Sequence, residues 1–114
     1  MDEDVKPKWI VEDGCLIIGR VTYHHELSCT NDQTKVKGGG YWHIDKENKI
    51  LHLYGESTTY SYCKSEDIME CVRAGKVGTW ANEEQFRDYY IYATRASSLE
   101  VHMMEYNRHL EKTA

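Results

Sequence analysis

The chain has 114 residues, of which 40% are hydrophobic, so it has enough apolar material for one core but not for two. Its formal net charge is −5, and its 14 Lys and Arg residues are scattered along the chain rather than clustered. Nucleic-acid binding depends on a concentrated basic surface, so composition and charge exclude that class of partner. We expect residues 1–114 to form a single domain.

No segment of the sequence approaches the length of a membrane span, and the charged N-terminus does not fit a secretory signal. The four cysteines form no C-x-x-C pair, so we expect free thiols, a reducing compartment and a cytoplasmic protein without a membrane partner. Residues 1–7 are charged and contain the only proline, which predicts a loose N-terminal tail.

A first hairpin is predicted directly after this tail. Trp9–Glu12 forms a short strand, Asp13-Gly14 is a turn pair that tolerates positive φ, and Cys15–Tyr23 forms a longer strand. The apolar run Leu16–Ile18 indicates a central position that is covered on both faces. The polar residues 26–34 then predict a loop.

The stretch from Lys35 to Thr58, KVKGGGYWHIDKENKILHLYGEST, contains the clearest strand pattern in the chain. A polar connection at 46–49 joins two alternating runs and sets Tyr41 opposite Tyr54. Alternation then assigns one face of this hairpin to the core and leaves the other face polar. The core face carries Trp42, Ile44, Leu51 and Leu53. The other face carries Tyr41, His43, His52 and Tyr54.

The next segments predict a helix and two further strands. Ser65 is a suitable N-cap and Gly75 a suitable stop for a helix that buries Ile68, Cys71 and Val72. Residues 76–82 read as a short strand. Residues 82–94 combine a capping box with a β-prone run, which favours a helical turn that leads into a strand at 89–94.

A last helix is predicted over residues 97–112, where Ser97 and Glu100 form a capping box. Its apolar stripe faces the core, and we expect His102 and His109 to lie on the surface. The stripe consists of Leu99, Met103, Tyr106 and Leu110. Together these elements predict an α+β fold with a mixed, mostly antiparallel sheet of five or six strands and two or three helices.

The glycine triplet Gly38–Gly40 has two interpretations. Glycine lets backbone N–H groups converge on an anion, but the triplet lacks the context of a P-loop or a dinucleotide motif. It also permits a bulge or the close approach of a neighbouring element. We favour the packing interpretation.

His43 and His52 share a sheet face with Asp45, which is the residue set of a metal site made of two histidines and one carboxylate. Cross-strand histidines are often only polar residues on a wet face. We therefore expect no metal and no cofactor, with these three residues as weak candidates.

Three elements of the chain together resemble the small phosphohistidine phosphatase family, also called Janus/Ocnus. They are a glycine triplet, a K-I-x-φ-Y-G-x-S element (φ apolar) and a V-x-W-A-N strand, and the resemblance covers about residues 36–82. The matching residues are Gly38, Gly39, Gly40, Lys49, Ile50, Tyr54, Gly55, Ser57, Tyr60, Val77, Trp80, Ala81 and Asn82. In this family the Y-G-x-S corner binds a phosphate-like anion. The resemblance therefore implies Gly55, Ser57 and Thr59 as ligand-binding residues, and Lys37 on the incoming strand can add positive charge.

The chain departs from the family at the catalytic residues. The family's catalytic histidine lies in a helix before the glycine triplet, within a Y-H motif. Tyr23-His24 matches this pair, so the resemblance implies His24 as the catalytic counterpart, acting as a nucleophile or a general base. The segment from His25 to Lys35 is too short for a comparable helix, and Tyr41 replaces the family's arginine. A solvated strand end is the alternative role for His24.

We expect a non-catalytic α/β module that binds a small anionic ligand or a protein partner. A divergent phosphohistidine or phosphoramidate phosphatase that uses His24 or His25 is the alternative. A structural or oligomerising protein is a third possibility, because the tyrosines at 89, 90 and 92 and the last-helix stripe exceed what one small core can cover. Such surplus apolar surface predicts a homo-oligomer.

Overall fold

Within the residues that the structure describes, six strands form one mixed sheet with two α-helices and two 3-10 helices, which confirms the predicted α+β class. The structure is a computed structural model and describes residues 5–30, 32–57, 60–79 and 89–113. In chain order the elements are β1 (Lys6–Glu12), β2 (Cys15–Val21), a first 3-10 helix (His24–Leu27), a second 3-10 helix (Gln33–Lys35), β3 (Val36–Asp45), β4 (Ile50–Tyr54), α1 (Ser65–Arg73), β5 (Val77–Thr79), β6 (Tyr90–Ala93) and α2 (Leu99–Thr113).

The strands lie in the order β5-β2-β1-β3-β4-β6. The three central pairings are antiparallel, whereas β5 adds in parallel to β2 and β6 adds in parallel to β4. The β3–β4 register is the predicted one, with Tyr41 opposite Tyr54 and His43 opposite His52. Each outer strand reaches its place only after a crossover, because a tight turn cannot join parallel neighbours.

The first strand begins earlier than predicted. β1 starts at Lys6, so the prediction of a loose tail over residues 1–7 is wrong for Lys6 and Pro7, while residues 1–4 lie outside the described residues. Pro7 is opposite Arg20 of β2, and β3 joins the other side of β1 only from Lys8 onward. A proline is tolerated at this position because no strand on that side requires its missing N–H.

The face of the sheet toward α1 holds the main core, and it includes the predicted core face of the β3–β4 hairpin. The two buried tryptophans on this face keep their indole N–H groups paired, since Trp9 donates to the Tyr41 carbonyl at 2.8 Å and Trp42 donates to the Gly19 carbonyl at 3.0 Å. The buried members are Trp9, Val11, Leu16, Ile18, Trp42, Leu51, Leu53, Cys63, Ile68, Cys71 and Ile91. Ile44 packs against them and is only partly buried.

Two separate elements cover the opposite face. Next to β1 and β2, the first 3-10 helix packs Leu27 against Ile10, Ile17 and Val21. The segment predicted as a plain loop therefore supplies its own small core. This second cluster confirms that β2 is covered on both faces, because its successive residues point to opposite sides of the sheet.

α2 covers the part of this face that β4 and β6 form, and it does so with a different stripe from the predicted one. His102 is fully buried and Tyr106 nearly so, whereas Leu110 is 44% exposed. His109 packs its ring against Tyr92 of β6. The prediction of a surface position is therefore wrong for His102, whereas His109 is only partly buried. Positions 102, 106 and 109 share one helical face, and that face, rather than the leucine stripe, meets the sheet.

The helix ends follow the predicted signals with small shifts. α1 stops where predicted, since Gly75 has φ 70° and terminates the helix in the left-handed conformation. The N-cap of α1 is Lys64 rather than Ser65. At α2 the hydroxyl of Ser98, instead of that of Ser97, accepts a backbone N–H of the first turn at 3.3 Å.

The two short outer strands are confirmed at β5 and β6. The predicted helical turn before β6 and the end of the predicted strand at 80–82 lie outside the described residues. All four cysteines are free in the structure. No helix of the described residues is long and apolar enough to cross a membrane.

The glycine triplet lies in β3, immediately after a bulge, where neighbouring backbone approaches closely. A Cβ atom on Gly39 would lie 2.5 Å from the Trp9 carbonyl oxygen, and one on Gly38 would lie 2.5 Å from the Tyr62 carbonyl oxygen. Gly39 also exchanges backbone hydrogen bonds with the following loop, donating to the Ser61 carbonyl at 3.1 Å and accepting from the Ser57 N–H at 2.9 Å. These contacts favour the packing interpretation of the triplet.

Replacing Gly39 by Ala should lower the free energy of unfolding by about 1 kcal/mol or more, because the added methyl group meets the backbone of β1. Gly78→Ala is the matched control, since Gly78 also lies in a strand but has nothing within 4 Å of a built Cβ. Urea denaturation of both variants measures the difference. A Gly39→Ala variant as stable as the wild type would contradict the packing interpretation.

Candidate active site

The first 3-10 helix places His24 over the glycine strand. The carboxylate of Glu26 accepts the Tyr23 N–H at 2.8 Å, and Leu27 is fully buried beneath the turn. These contacts hold the chain on both sides of His24. The His24 ring is only 4% exposed, so the prediction of a solvated strand end is wrong.

The hydrogen bond of His24 fixes where its proton lies. Its Nε2 is 2.7 Å from the Gly40 carbonyl oxygen. A carbonyl only accepts, so Nε2 carries the hydrogen and Nδ1 carries the lone pair of the neutral ring. Burial lowers the pKa of His24 below 6.5, the hydrogen bond with Gly40 opposes this shift, and the positive charge of Lys8 lowers the pKa further. The neutral ring of His24 therefore keeps its lone pair on Nδ1.

Lys8, whose position in the site is not indicated by any motif in the sequence, acts electrostatically on His24. Its ammonium group donates to the Thr22 carbonyl, and its side chain is 8% exposed. Lys8 is the direct cross-strand partner of Tyr41, which occupies the position of the family's arginine. The Tyr41 ring meets the His24 ring edge-on, with centroids 5.5 Å apart. Strand alternation would place Lys8 on the same face of the sheet as Ile10. The predicted strand begins at Trp9, so this pattern does not extend to Lys8 in the sequence.

The corner implied by the resemblance lies next to this site, but its amides are engaged. The Gly55 N–H donates to the Ala96 carbonyl at 2.7 Å, and the Ser57 N–H donates to the Gly39 carbonyl at 2.9 Å. The Ser57 hydroxyl accepts the Tyr60 N–H at 3.1 Å, which is local turn chemistry. Thr59 lies outside the described residues.

Lys37, the predicted source of charge for this corner, is exposed on β3. Its charge acts on Cys63, where burial raises the pKa of the thiol to about 12 and Lys37 opposes that rise. No described contact joins Lys37 to Ser57 or Gly55. The structure therefore brings together His24, Lys8 and Gly40, and leaves Lys37 outside this group.

The weak metal candidates lie at the other end of the β3–β4 hairpin. Asp45 closes the turn, since its carboxylate accepts the Asn48 backbone N–H at 3.2 Å and the Asn48 side-chain amide at 2.9 Å. His43 is exposed, and its ring centroid lies 6.2 Å from that of His52. Within the described part of the chain, no three His, Cys, Asp or Glu side chains are grouped closely enough to hold a metal ion.

His52 belongs to a buried hydrogen-bond chain between the sheet and α2. Its Nδ1 lies 2.9 Å from His102 Nε2, and His102 Nδ1 lies 2.7 Å from the Thr94 hydroxyl. His52 Nε2 is buried without a hydrogen-bond partner among the described residues. Sequence reasoning misses this chain because the two histidines are 50 residues apart and neither lies in a motif.

A cleft of about 490 Å³ opens beside His52, between the β3–β4 connection and Met103 of α2. The carboxylates of Asp45 and Glu47 and the ammonium group of Lys46 all line it. Because both signs of charge are present, the lining favours neither an anion nor a cation.

The tyrosines that predict an oligomer are used in part within the molecule. Tyr92 packs against Tyr106 and His109 of α2, with ring centroids 5.1 Å apart in both cases. Tyr90 remains 56% exposed on the outer strand β6. The prediction of a homo-oligomer therefore concerns a smaller apolar surface than the sequence suggests.

Comparison with known proteins identifies no relative of this chain. No family model matches it, no curated protein matches it, and no solved structure matches it. The resemblance over residues 36–82 therefore stays a prediction from the residues themselves.

Proposed function

We propose that the protein is a small phosphatase that releases phosphate from a phosphorylated nitrogen, such as that of phosphohistidine, with His24 as the general base. The reaction class comes from the family resemblance over residues 36–82. The observation that carries the proposal is the 2.7 Å hydrogen bond from His24 Nε2 to the Gly40 carbonyl, which leaves the lone pair on Nδ1. This hydrogen bond joins the first 3-10 helix to β3 at the proposed site.

A general base serves this reaction by removing a proton from the attacking water. The water oxygen forms a bond to phosphorus as the P–N bond breaks, and the water proton goes to Nδ1 of His24. The leaving nitrogen takes up a proton from solvent. The small exposure of His24, 4%, supports a base that acts through a water molecule rather than a nucleophile that phosphorus must reach directly.

Lys8 is the residue that we assign to the negative charge of the phosphoryl group. The amides of Gly55 and Ser57 already donate to carbonyl groups, so an anion has fewer donors at that corner than the resemblance implies. Lys8 is nearly buried, acts electrostatically on His24 and is paired with Tyr41, where the family has its arginine. An ammonium group in a low-dielectric environment attracts an anion more strongly than one in water.

A non-catalytic module that binds a phosphate-like anion or a protein partner is the second candidate, and Tyr41 favours it. The neutral phenol of Tyr41 lacks the charge with which an arginine stabilises a transferring phosphoryl group. The two candidates differ in turnover. The phosphatase and an anion-binding module both predict that inorganic phosphate raises the melting temperature, whereas only the phosphatase releases phosphate from a substrate.

Replacing His24 by Gln should lower phosphate release from a phosphohistidine peptide by about 100-fold or more, which is the usual contribution of a general base. Glutamine keeps an N–H that can donate to Gly40, so the fold should persist. His25→Gln is the matched control, because the neighbouring ring of His25 is exposed and stacks on Tyr23. We expect this control to keep wild-type activity.

Full activity of the His24→Gln variant would contradict the proposal, as would an equal loss in both variants. Circular dichroism of each variant separates a catalytic loss from misfolding. A wild type that binds phosphate but releases none would identify the non-catalytic module instead.

The acid limb of the pH–rate profile should lie below pH 6.5. Burial, the leading cause, lowers the pKa of His24 from 6.5, so the neutral base persists into more acidic solution than an exposed histidine would allow. Measuring kcat/KM for the phosphohistidine peptide across the acid range locates this limb. A limb at or above pH 6.5 would exclude His24 as the titrating base.

Lys8→Met removes the charge and keeps most of the aliphatic stem. We expect a higher KM and weaker inhibition by inorganic phosphate. The acid limb should also move to higher pH, because the Lys8 charge lowers the pKa of His24. Lys6→Met is the control, since Lys6 is exposed at the start of the same strand. An unchanged acid limb together with an unchanged KM would show that Lys8 takes no part in the site.

A further inference from the structure

We propose that the buried His52–His102 pair is an acid-sensitive latch, which seats α2 on the sheet and releases it when both imidazole rings are protonated. The pair lies between β4 and α2 and is separate from the His24 site. This inference therefore stands independently of the proposed phosphatase activity.

The geometry makes this pair the polar centre of the α2 contact. The facing nitrogens, His52 Nδ1 and His102 Nε2, are 2.9 Å apart, and both side chains are at most 1% exposed. Tyr106, one turn after His102 on α2, packs its ring edge-on against His52 with centroids 4.8 Å apart. Thr94 holds the far side of His102 through its hydroxyl group at 2.7 Å. Water has almost no access to the rings, so their mutual hydrogen bond has no ready substitute.

The number of protons decides whether this contact holds. A hydrogen bond needs one donor and one acceptor, so the two facing nitrogens share one hydrogen when both rings are neutral. In one neutral arrangement His52 Nδ1 donates to His102 Nε2, and His102 Nδ1 donates to the Thr94 hydroxyl. One added proton keeps the bond between the rings, because the facing nitrogens still share one hydrogen while the outer nitrogens, His52 Nε2 and His102 Nδ1, both carry N–H groups. A second proton places N–H groups on both facing nitrogens, which removes the hydrogen bond and leaves two cations in contact.

The surroundings offer little compensation for added charge. The titratable groups that face the pair are His43 and Asp45 of β3, Tyr54 of β4, Tyr92 of β6 and Tyr106 of α2. Asp45 favours the protonated form of His52, but its carboxylate is already bound by Asn48, and His43 acts in the opposite sense. The tyrosines are neutral in acid and bring no negative charge. A protonated His52 would also hold a buried N–H at Nε2, where no described acceptor is present.

The pH dependence of docking follows from linkage. Burial lowers the pKa of His102 from 6.5 to about 4, and His52 and His43 lower it as well. Burial, followed by the charge of His43, lowers the pKa of His52 too. A released α2 exposes His102 to water, so release takes up protons. Docking of α2 therefore weakens as the pH falls below 6.5, and the contribution of His102 to this change is complete below about pH 4.

Hydrogen exchange of the backbone amides tests the latch. The measured quantity is the ratio of the protection of α2 amides to that of α1 amides. The intrinsic effect of pH on exchange cancels in this ratio, so a fall in the ratio reports selective release of α2. Between neutral pH and about pH 4 we expect this ratio to fall by about tenfold or more, since each pH unit over which release takes up one proton changes the equilibrium tenfold. The His102→Gln variant, whose amide does not titrate, should show a much smaller change.

His109→Gln is the matched control, because His109 lies on the same helix face but contacts Tyr92 rather than His52. It should keep the wild-type pH dependence. If His102→Gln does not fold, His52→Gln provides the same test from the β4 side. The latch is overturned if the wild-type ratio is constant with pH, if the glutamine variant keeps the full dependence, or if α1 and α2 lose protection together.

Discussion

The backbone of β3 at Gly38–Gly40 is the constraint on which the rest of the structure depends. Three other segments come within contact distance of it: the carbonyl groups of β1, the ring of His24 and the loop that follows β4. Each approach uses space that a Cβ atom would fill. The same glycines that let the central strand pack therefore leave their carbonyl groups accessible to side chains and loop amides.

This arrangement connects packing to chemistry. The Gly40 carbonyl accepts from His24 and the Gly39 carbonyl accepts from Ser57, so one short backbone segment orients both the candidate base and the neighbouring corner. The amides of Gly55 and Ser57 donate to backbone carbonyl groups within the fold. Lys8 is therefore the stronger candidate for contact with an anion. At the other end of this face, buried imidazoles together with tyrosine rings join α2 to the sheet. The two proposals therefore concern separate buried histidines at the two ends of the same face.

The parts of the fold that depend on local patterns are predictable from the sequence. The β3–β4 register follows from alternation around a polar connection, and α1 ends at Arg73, just before Gly75, which adopts positive φ. The burial of His102 is not predictable, because a histidine with a buried partner has the same local pattern as a solvated one. Its partner His52 comes from a strand 50 residues away. Lys8 is missed for a related reason, since a charged residue beside a proline resembles a tail until its pairing with Tyr41 is known.

The tautomer of His24 is the most direct test of this account, since both the site and the role of the glycine strand depend on it. Nitrogen-15 NMR of the histidine rings, assigned with the His24→Gln variant, distinguishes a protonated Nε2 from a protonated Nδ1 at neutral pH. The account predicts a neutral His24 ring with hydrogen on Nε2, held by the Gly40 carbonyl, and a lone pair on Nδ1. Hydrogen on Nδ1, or a ring protonated on both nitrogens at neutral pH, would contradict it.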